Sequence, residues 1–140
     1  LASHGMYRPA RLVHAVGDQA QPLSAPKQVF TRETADTLLR FMISTFEDES
    51  GTAHRLRIPG YELGGKTGTA QKLDARAKDG KRRYVSNFVG YVPGDKPVAT
   101  ILVMIDNPQG GQYYGASVAG PVFREIAQSV IKRFNLPRTR

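Results

Sequence analysis

Two stretches of the chain carry apolar residues at the spacing of an α-helix, and they bracket a region of shorter segments. The first stretch follows Thr31, a residue suited to cap a helix, and the second ends before Pro137. The first stripe consists of Ala35, Leu38, Leu39, Met42, Ile43 and Phe46, and the second of Phe123, Ile126, Ala127, Val130, Ile131 and Phe134. Each predicted helix has one apolar face, so each needs a surface to cover.

Three segments between these stripes are predicted to form that surface as β-strands. They run roughly from 61 to 72, from 84 to 92 and from 98 to 105, and the last is a continuous apolar run of strand length. The links between them are short or contain turn residues, which favours antiparallel hairpins. The predicted fold is therefore α/β in the broad sense and of the α+β type, with helices packed on an antiparallel sheet.

The first 30 residues give weaker signals. Residues 8–16 predict a short strand, and residues 17–26 form a polar connector with two prolines. Residues 1–5 are typical of the last turn of a helix closed by glycine. We therefore expect residues 1–140 to be one domain or one piece of a domain.

The composition of the given sequence excludes a disulfide framework, a thiolate zinc site and a bilayer-crossing apolar run. The chain has 140 residues, no cysteine and a net charge of +8, and no apolar run is long enough to cross a bilayer. The densest basic cluster, 72–83, surrounds Asp79-Gly80 without interleaved aromatic residues, which favours a solvated hairpin tip over a nucleic-acid site. Because His4, His14 and His54 lack the close spacing of a metal-binding pair, we predict no metal site. We also predict no cofactor.

The glycine-rich segment 60–67 matches the phosphate-binding pattern G-x-x-x-x-G-K-[ST]. In that motif Lys66 and Thr67 would open a helix, whose N-terminal amides hold the phosphates. The residues after Thr67 carry no apolar stripe, so the context argues against a helix there. A nucleotide-binding protein remains the alternative interpretation.

The second interpretation places Lys66-Thr67-Gly68 on a strand, as in the K-T-G motif of penicillin-binding proteins and serine β-lactamases. The order and intervals of the neighbouring motifs support this second interpretation. These motifs are Gly51-Thr52-Ala53, Gly60-Tyr61, Gly65 through Lys72, Tyr84 through Pro93, Asp106-Asn107-Pro108-Gln109, Tyr113-Tyr114-Gly115 and Pro121-Val122-Phe123. Over nearly its whole length the chain resembles the end of the transpeptidase domain of class B penicillin-binding proteins, most closely the division-specific, FtsI-like type. The resemblance implies that residues 1–140 are an incomplete, C-terminal segment of that domain.

The resemblance implies a role for each residue of the strand. Lys66 would place a positive charge in the catalytic cleft, and Thr67 would donate its hydroxyl to the substrate's terminal carboxylate. Gly68 would leave room for the helix that bears the serine, and the backbone N–H of Thr69 would form part of the oxyanion hole. Three further substrate-binding residues are implied as an aromatic wall: Tyr84, Tyr113 and Tyr114. Ala116 stands where the family often has glycine.

The serine nucleophile itself is not expected in this chain. Ser24-Ala25-Pro26-Lys27 spells the S-x-x-K motif, but it lies in the polar connector, with a proline where a helix is required. Ser86-Asn87 follows the K-T-G segment and lacks the spacing of an S-x-N motif. The principal partner is therefore expected to be the remaining part of the transpeptidase domain, which would carry the serine.

For the whole protein, the resemblance implies a serine-type D,D-transpeptidase that cross-links peptidoglycan stem peptides. It also implies acylation by β-lactam antibiotics, association with cell-division membrane proteins, and an anchor in the bacterial inner membrane with the catalytic domain on the periplasmic side. The segment alone would be inactive. A penicillin-binding sensor without turnover is a further alternative.

Overall fold

The computed structural model describes residues 1–73 and 82–139. The contacts between Cα atoms divide the chain into two compact units, Leu1–Leu38 and Leu39–Arg140. The predicted hairpin tip around Asp79-Gly80 lies outside the described residues.

The first unit contains four strands of two residues each. β1 (Met6–Tyr7) pairs with β4 (Lys27–Gln28), and β2 (Ala15–Val16) pairs with β3 (Gln19–Ala20), all antiparallel.

The strand predicted over residues 8–16 is thus wrong except at its last two residues. Leu12 and Val13 lie exposed in an irregular segment, because no neighbouring strand pairs with them among the described residues. Residues 1–5 form a turn, in which the His4 amide donates to the Leu1 carbonyl at 2.8 Å. Among the described residues, no helix is present before Arg32.

The first predicted helix is confirmed as α1 (Arg32–Glu47). Thr31 caps it, since the Thr34 amide donates to the Thr31 hydroxyl at 3.2 Å. Ala35, Leu39 and Phe46 from the predicted stripe are buried. A short 3-10 helix follows at His54–Leu56.

The predicted sheet is also confirmed. β5 (Gly64–Gln71), β6 (Tyr84–Val92) and β7 (Ala99–Asp106) lie side by side in that order, and both pairs are antiparallel. Ile101 and Val103 of β7 are buried, whereas Leu102 and Met104 between them are exposed. This alternation shows that one face of the sheet is covered and the other is open.

The second helix, α2 (Gly115–Arg133), covers one face of the sheet and begins earlier than its apolar stripe predicts. Its first two turns bury Gly115, Ala119 and Gly120. A Cβ atom added at Gly120 would lie 2.5 Å from a methyl group of Leu56. Small residues let the helix approach its neighbours closely here, and they leave little trace in a hydrophobicity pattern.

Three phenylalanine rings form the centre of the second unit's core. Phe46 of α1, Phe88 of β6 and Phe123 of α2 are fully buried, with ring centroids 4.7 to 6.1 Å apart. One ring from each of three elements ties α1 and α2 to the same face of the sheet.

Candidate active site

Lys66 and Thr67 lie in the middle of strand β5, and no helix begins there. Their partners across the sheet are Val89 and Phe88. A phosphate-binding loop needs these residues at a helix N-terminus, so the interpretation as a nucleotide-binding protein is wrong.

β5 is the outer strand of the three-stranded sheet, and two hydrogen bonds identify the residues whose backbone groups point away from β6. The Gly65 carbonyl accepts from the Thr45 hydroxyl at 2.9 Å, so the backbone groups of Gly65 face away from β6. The Lys72 amide donates to the Arg83 carbonyl at 2.8 Å, so the backbone groups of Lys72 face the side of β6. Because this direction alternates along an antiparallel strand, the backbone groups of Thr67 and Thr69 face outward.

The Lys66 amine lies beside this outer edge. Its Nζ atom donates to the Thr67 carbonyl at 3.0 Å and to the Thr67 hydroxyl at 3.2 Å, and the side chain is exposed. A cation, a hydroxyl and outward amides therefore share one open edge. This is a combination that can hold an anion or a developing oxyanion.

Gly68 has a reason within this chain to lack a side chain. An added Cβ atom would overlap the side chain of Asn87, its partner on β6. The space that Gly68 would leave for a serine-bearing helix stays a prediction.

The Thr69 hydroxyl joins the outer strand to α2, a contact that the sequence did not reveal. It accepts a hydrogen bond from the Gly115 amide at 3.1 Å. Gly115 must be glycine, because an added Cβ would lie 2.7 Å from the Gly68 carbonyl oxygen. The first turn of α2 therefore fixes the part of β5 that carries Thr69.

Ser86 is a second residue that sequence reasoning missed. It is fully buried, lies opposite Thr69 on β6, and donates a short hydrogen bond to the Tyr113 carbonyl. A polar residue at an inward-facing strand position between Tyr84 and Phe88 is the sequence signal that could have identified it.

The three tyrosines predicted to line the cleft lie together at this end of the sheet. The rings of Tyr84 and Tyr113 stack with centroids 4.1 Å apart, and those of Tyr113 and Tyr114 lie 4.6 Å apart. The hydrogen bond from the Tyr113 hydroxyl to Tyr114 raises the pKa of Tyr113, and the proximity of Tyr114 adds to this rise. Tyr114 immediately precedes α2, so the stack adjoins Thr69 through Gly115.

The segment Ser24–Lys27 cannot serve as the first catalytic motif in this conformation. Lys27 lies in the two-residue strand β4, and Ser24 lies in irregular structure before it. An S-x-x-K pair needs one turn of helix between the two side chains.

The histidines do not form a site with each other. His4 Nδ1 lies 2.6 Å from Asp36 Oδ1, and this hydrogen bond lowers the pKa of Asp36. Within residues 1–73 and 82–139, no group of three potential metal ligands is present. The helices in the same part of the chain are too short or too polar to span a membrane.

Comparisons with known proteins agree with this geometry. Residues 1–128 match the family model "Penicillin binding protein transpeptidase domain". The chain is 30% identical over 138 residues to the peptidoglycan D,D-transpeptidase FtsI of Escherichia coli, an alignment that covers 97% of this chain and 22% of FtsI. It is 38% identical over 105 residues to the stage V sporulation protein D of Bacillus subtilis, covering 73% of this chain and 15% of that protein.

Solved structures show the same similarity. The apo transpeptidase domain of penicillin-binding protein 3 from Burkholderia pseudomallei matches with a TM-score of 0.79 and 32% identity, over 99% of this chain and 40% of that one. Penicillin-binding protein 3 from Mycobacterium tuberculosis, complexed with aztreonam, matches with a TM-score of 0.81 and 26% identity, over 99% of this chain and 34% of that one.

The chain spans only 15% and 22% of the length of these two curated relatives. Its family model covers most of the chain, and the K-T-G residues occupy the outer strand of the sheet. The chain belongs to the penicillin-binding protein transpeptidase domain family, and its relatives place it with the class B, FtsI-like members.

Proposed function

We propose that this chain supplies the K-T-G strand of a serine D,D-transpeptidase that cross-links peptidoglycan stem peptides. The observation that carries the proposal is the outer edge of β5, where the Thr69 amide faces outward and the Lys66 amine lies beside the Thr67 hydroxyl. The complete transpeptidase is the polypeptide in which residues 1–140 are joined to a segment that carries the serine.

The first half of the proposed reaction forms an acyl-enzyme. The serine oxygen attacks the carbonyl carbon of the penultimate D-alanine, and the peptide bond to the terminal D-alanine breaks. The leaving nitrogen takes the proton that the serine loses. The Thr69 amide stabilises the carbonyl oxygen while it carries negative charge, and one such donor is typically worth about 3 kcal/mol of barrier.

In the second half, an amine of a neighbouring stem peptide attacks the ester carbonyl, a new amide bond forms and the bond to the serine oxygen breaks. The proton that the amine loses restores the serine hydroxyl. Lys66 and Thr67 act in the first half, where they hold the carboxylate of the terminal D-alanine until it leaves. In both halves the positive charge of Lys66 supports proton transfer among the catalytic residues. Three residues line the path of the incoming peptide: Tyr84, Tyr113 and Tyr114.

The wider proposals concern the complete transpeptidase. One similar solved structure is a complex with aztreonam and another is a complex with ampicillin, which supports acylation of this protein by β-lactams. The FtsI-like relatives support a role in septal wall synthesis with cell-division membrane proteins as partners. We place the catalytic domain on the periplasmic side of the inner membrane, with the anchor on another segment.

Labelling with a fluorescent penicillin tests this function. We expect the complete transpeptidase to be labelled on a serine outside residues 1–140, and the 140-residue chain alone to remain unlabelled. Peptide mapping of the labelled protein identifies the serine. Labelling of Ser24, or absence of labelling in the complete transpeptidase, would contradict the proposal.

A transfer assay on the same protein separates an enzyme from a sensor. We expect the acyl group of a stem pentapeptide to pass to an added amine, with release of D-alanine. A protein that is stably labelled by penicillin but releases no D-alanine would be the sensor.

A further inference from the structure

A cleft of about 620 Å³ lies between the end of α1 and the segment that leads into β5. The lining residues that matter for its chemistry are Glu47, Arg55, Arg57, Ile58, Pro59 and Tyr61. A pocket of this size holds a ligand much larger than a single phosphate ion. Neither Lys66 nor Thr67 lines it, so the cleft is separate from the proposed catalytic edge of β5.

Arg57 joins the cleft to helix α2. Arg55 and Arg57 are exposed, one within the short 3-10 helix His54–Leu56 and the other directly after it. The Arg57 side chain donates from Nε to the His54 carbonyl at 3.2 Å. The Arg124 side chain of α2 donates from Nε to the Arg57 carbonyl at 3.2 Å, which places a third guanidinium group next to the lining.

The C-terminal segment brings a fourth arginine to the cleft. The Thr139 amide donates to the Gly60 carbonyl at 3.0 Å, and the Glu62 amide donates to the Thr139 hydroxyl at 2.6 Å. The Arg138 side chain lies against Gly60, where an added Cβ atom would be 3.2 Å from Arg138 Cδ. These contacts hold Arg138 at the margin of the cleft.

The four arginines give the cleft and its margin an excess of positive charge. Within residues 1–73 and 82–139, no ion pair involves any of them. Glu47 in the lining and Glu62 at the margin are the nearby acidic residues, so four guanidinium groups stand against two carboxylates. Guanidinium groups suit carboxylate ligands, because the two can form paired hydrogen bonds.

The cleft also offers apolar surface next to these charges. Pro59 is exposed, and the ring of Tyr61 is half-buried. The Tyr61 hydroxyl donates to the Leu136 carbonyl at 3.3 Å, which fixes the ring. Arginine and tyrosine are enriched where proteins contact each other. A concave surface of this composition fits a peptide that carries both carboxylates and apolar side chains, whereas a flat phospholipid surface would leave the cleft unfilled.

We propose that this cleft is a docking site for an acidic, extended segment of a partner protein. The carboxylates of that segment pair with Arg55 and Arg57, and its apolar side chains pack on Pro59 and Tyr61. The inference goes beyond the proposed transpeptidase function, because it concerns a surface apart from the catalytic edge, and either proposal can hold without the other.

The test compares the binding of two synthetic peptides to the complete transpeptidase by fluorescence anisotropy. One fluorescent peptide contains glutamate, leucine and serine, and the other has glutamine in place of every glutamate. We expect saturable binding of the glutamate peptide, which should weaken as the salt concentration rises because exposed charges are screened. The glutamine peptide should bind about tenfold more weakly, since it cannot form ion pairs with the two lining arginines.

The variant Arg55→Gln should weaken binding of the glutamate peptide about fivefold, because it removes one partly exposed ion pair. Arg82→Gln is the matched control, since it removes the same charge from an exposed position next to Tyr84, which pairs with the far end of β5. This control should bind the glutamate peptide as the wild-type protein does. Circular dichroism of both variants verifies that they are folded.

Several outcomes would overturn the inference. Equal binding of the two peptides, or binding of neither, would show that the cleft does not recognise an acidic segment. An unchanged affinity in Arg55→Gln, or an equal loss in Arg82→Gln, would place the peptide elsewhere on the protein. Vesicles of phosphatidylglycerol test the membrane alternative: if they bind in a manner that depends on Arg55 while the peptide does not bind, the surface contacts lipid instead.

Penicillin labelling of the same preparation reports on the transpeptidase function separately. A labelled protein that fails to bind the glutamate peptide overturns only this inference. A complete protein that binds the peptide at Arg55 but is not labelled overturns only the proposed function.

Discussion

The two faces of the three-stranded sheet differ in what they bury. The face toward α2 carries Phe88, Ile101 and Val103, each at most 8% exposed, whereas Leu102 and Met104 on the opposite face are each 66% exposed. Lys66 and Gly68 lie on the open face, by the alternation of side chains along β5. The covered face thus stabilises the fold, and the open face and its edge carry the residues proposed for catalysis.

The largest difference should appear in stability when one apolar side chain is removed from each face. Phe123→Ala removes a fully buried ring that packs against Phe46 and Phe88, and we expect a loss of about 3 to 5 kcal/mol in the free energy of unfolding. Met104→Ala on the open face should cost about 0.5 kcal/mol or less. Denaturant unfolding of the 140-residue chain measures both, and equal losses would contradict the division between the faces.

The open face should show its importance in activity instead. Lys66→Ala in the complete transpeptidase should lower the rate of acylation by penicillin about a hundredfold, because it removes the cation next to the reacting groups. The stability of the chain should change little, since the side chain is exposed.

Lys96→Ala, at an exposed position in the turn after β6, is the control and should be acylated at the normal rate. Stopped-flow labelling with a fluorescent penicillin gives both rates. A normal rate in Lys66→Ala would remove the catalytic role from the strand.

Two glycines on β6 and β5 allow a finer comparison. A Cβ atom at Gly90 would lie 2.5 Å from ring atoms of the buried Phe123, so Gly90→Ala should cost about 1 to 3 kcal/mol of stability. The three atoms nearest to a Cβ at Gly68 all belong to the Asn87 side chain on the open face. Because an exposed-face side chain can move more easily than a buried ring, Gly68→Ala should cost less. Thermal unfolding of the two variants orders them, and a larger loss for Gly68→Ala would reverse the assignment of the faces.

The smallest expected effect is a change in the titration of Tyr113. Tyr114→Phe removes the hydroxyl that accepts from Tyr113, so the pKa of Tyr113 should fall toward its ordinary value. Because the folded-state pKa is raised, this hydrogen bond stabilises the fold below the unfolded-state pKa and is lost as the pH rises through the folded-state pKa. NMR of labelled tyrosine follows the titration, with Tyr61→Phe as the control; an unchanged pKa would mean that the hydrogen bond does not form in solution.

Much of the second unit could be predicted from the sequence because its signals are strong and local. The stripe from Ala35 to Phe46 has helical spacing, and the run that ends at Ile105 has the length and composition of a strand. The order of motifs around Lys66 then led to the family. The resemblance, rather than periodicity, brought Tyr84 and Tyr113 into one site, since they are far apart in the chain.

The rest depended on contacts that a sequence pattern does not contain. The early start of α2 follows from Gly115 and Gly120, whose value lies in close approach and not in hydrophobicity. The bond from Gly115 to the Thr69 hydroxyl joins residues 46 positions apart. Residues 8–13 were predicted to belong to a strand because they include apolar residues, but a strand also requires a partner, and no described strand pairs with them.

A crystal structure of the complete transpeptidase acylated by a β-lactam tests the central claim most directly. We expect the acyl group to be attached to a serine outside residues 1–140, and its carbonyl oxygen to lie about 3 Å from the backbone nitrogen of Thr69. An acyl oxygen remote from Thr69, with that amide bonded to another strand, would contradict the role proposed for β5.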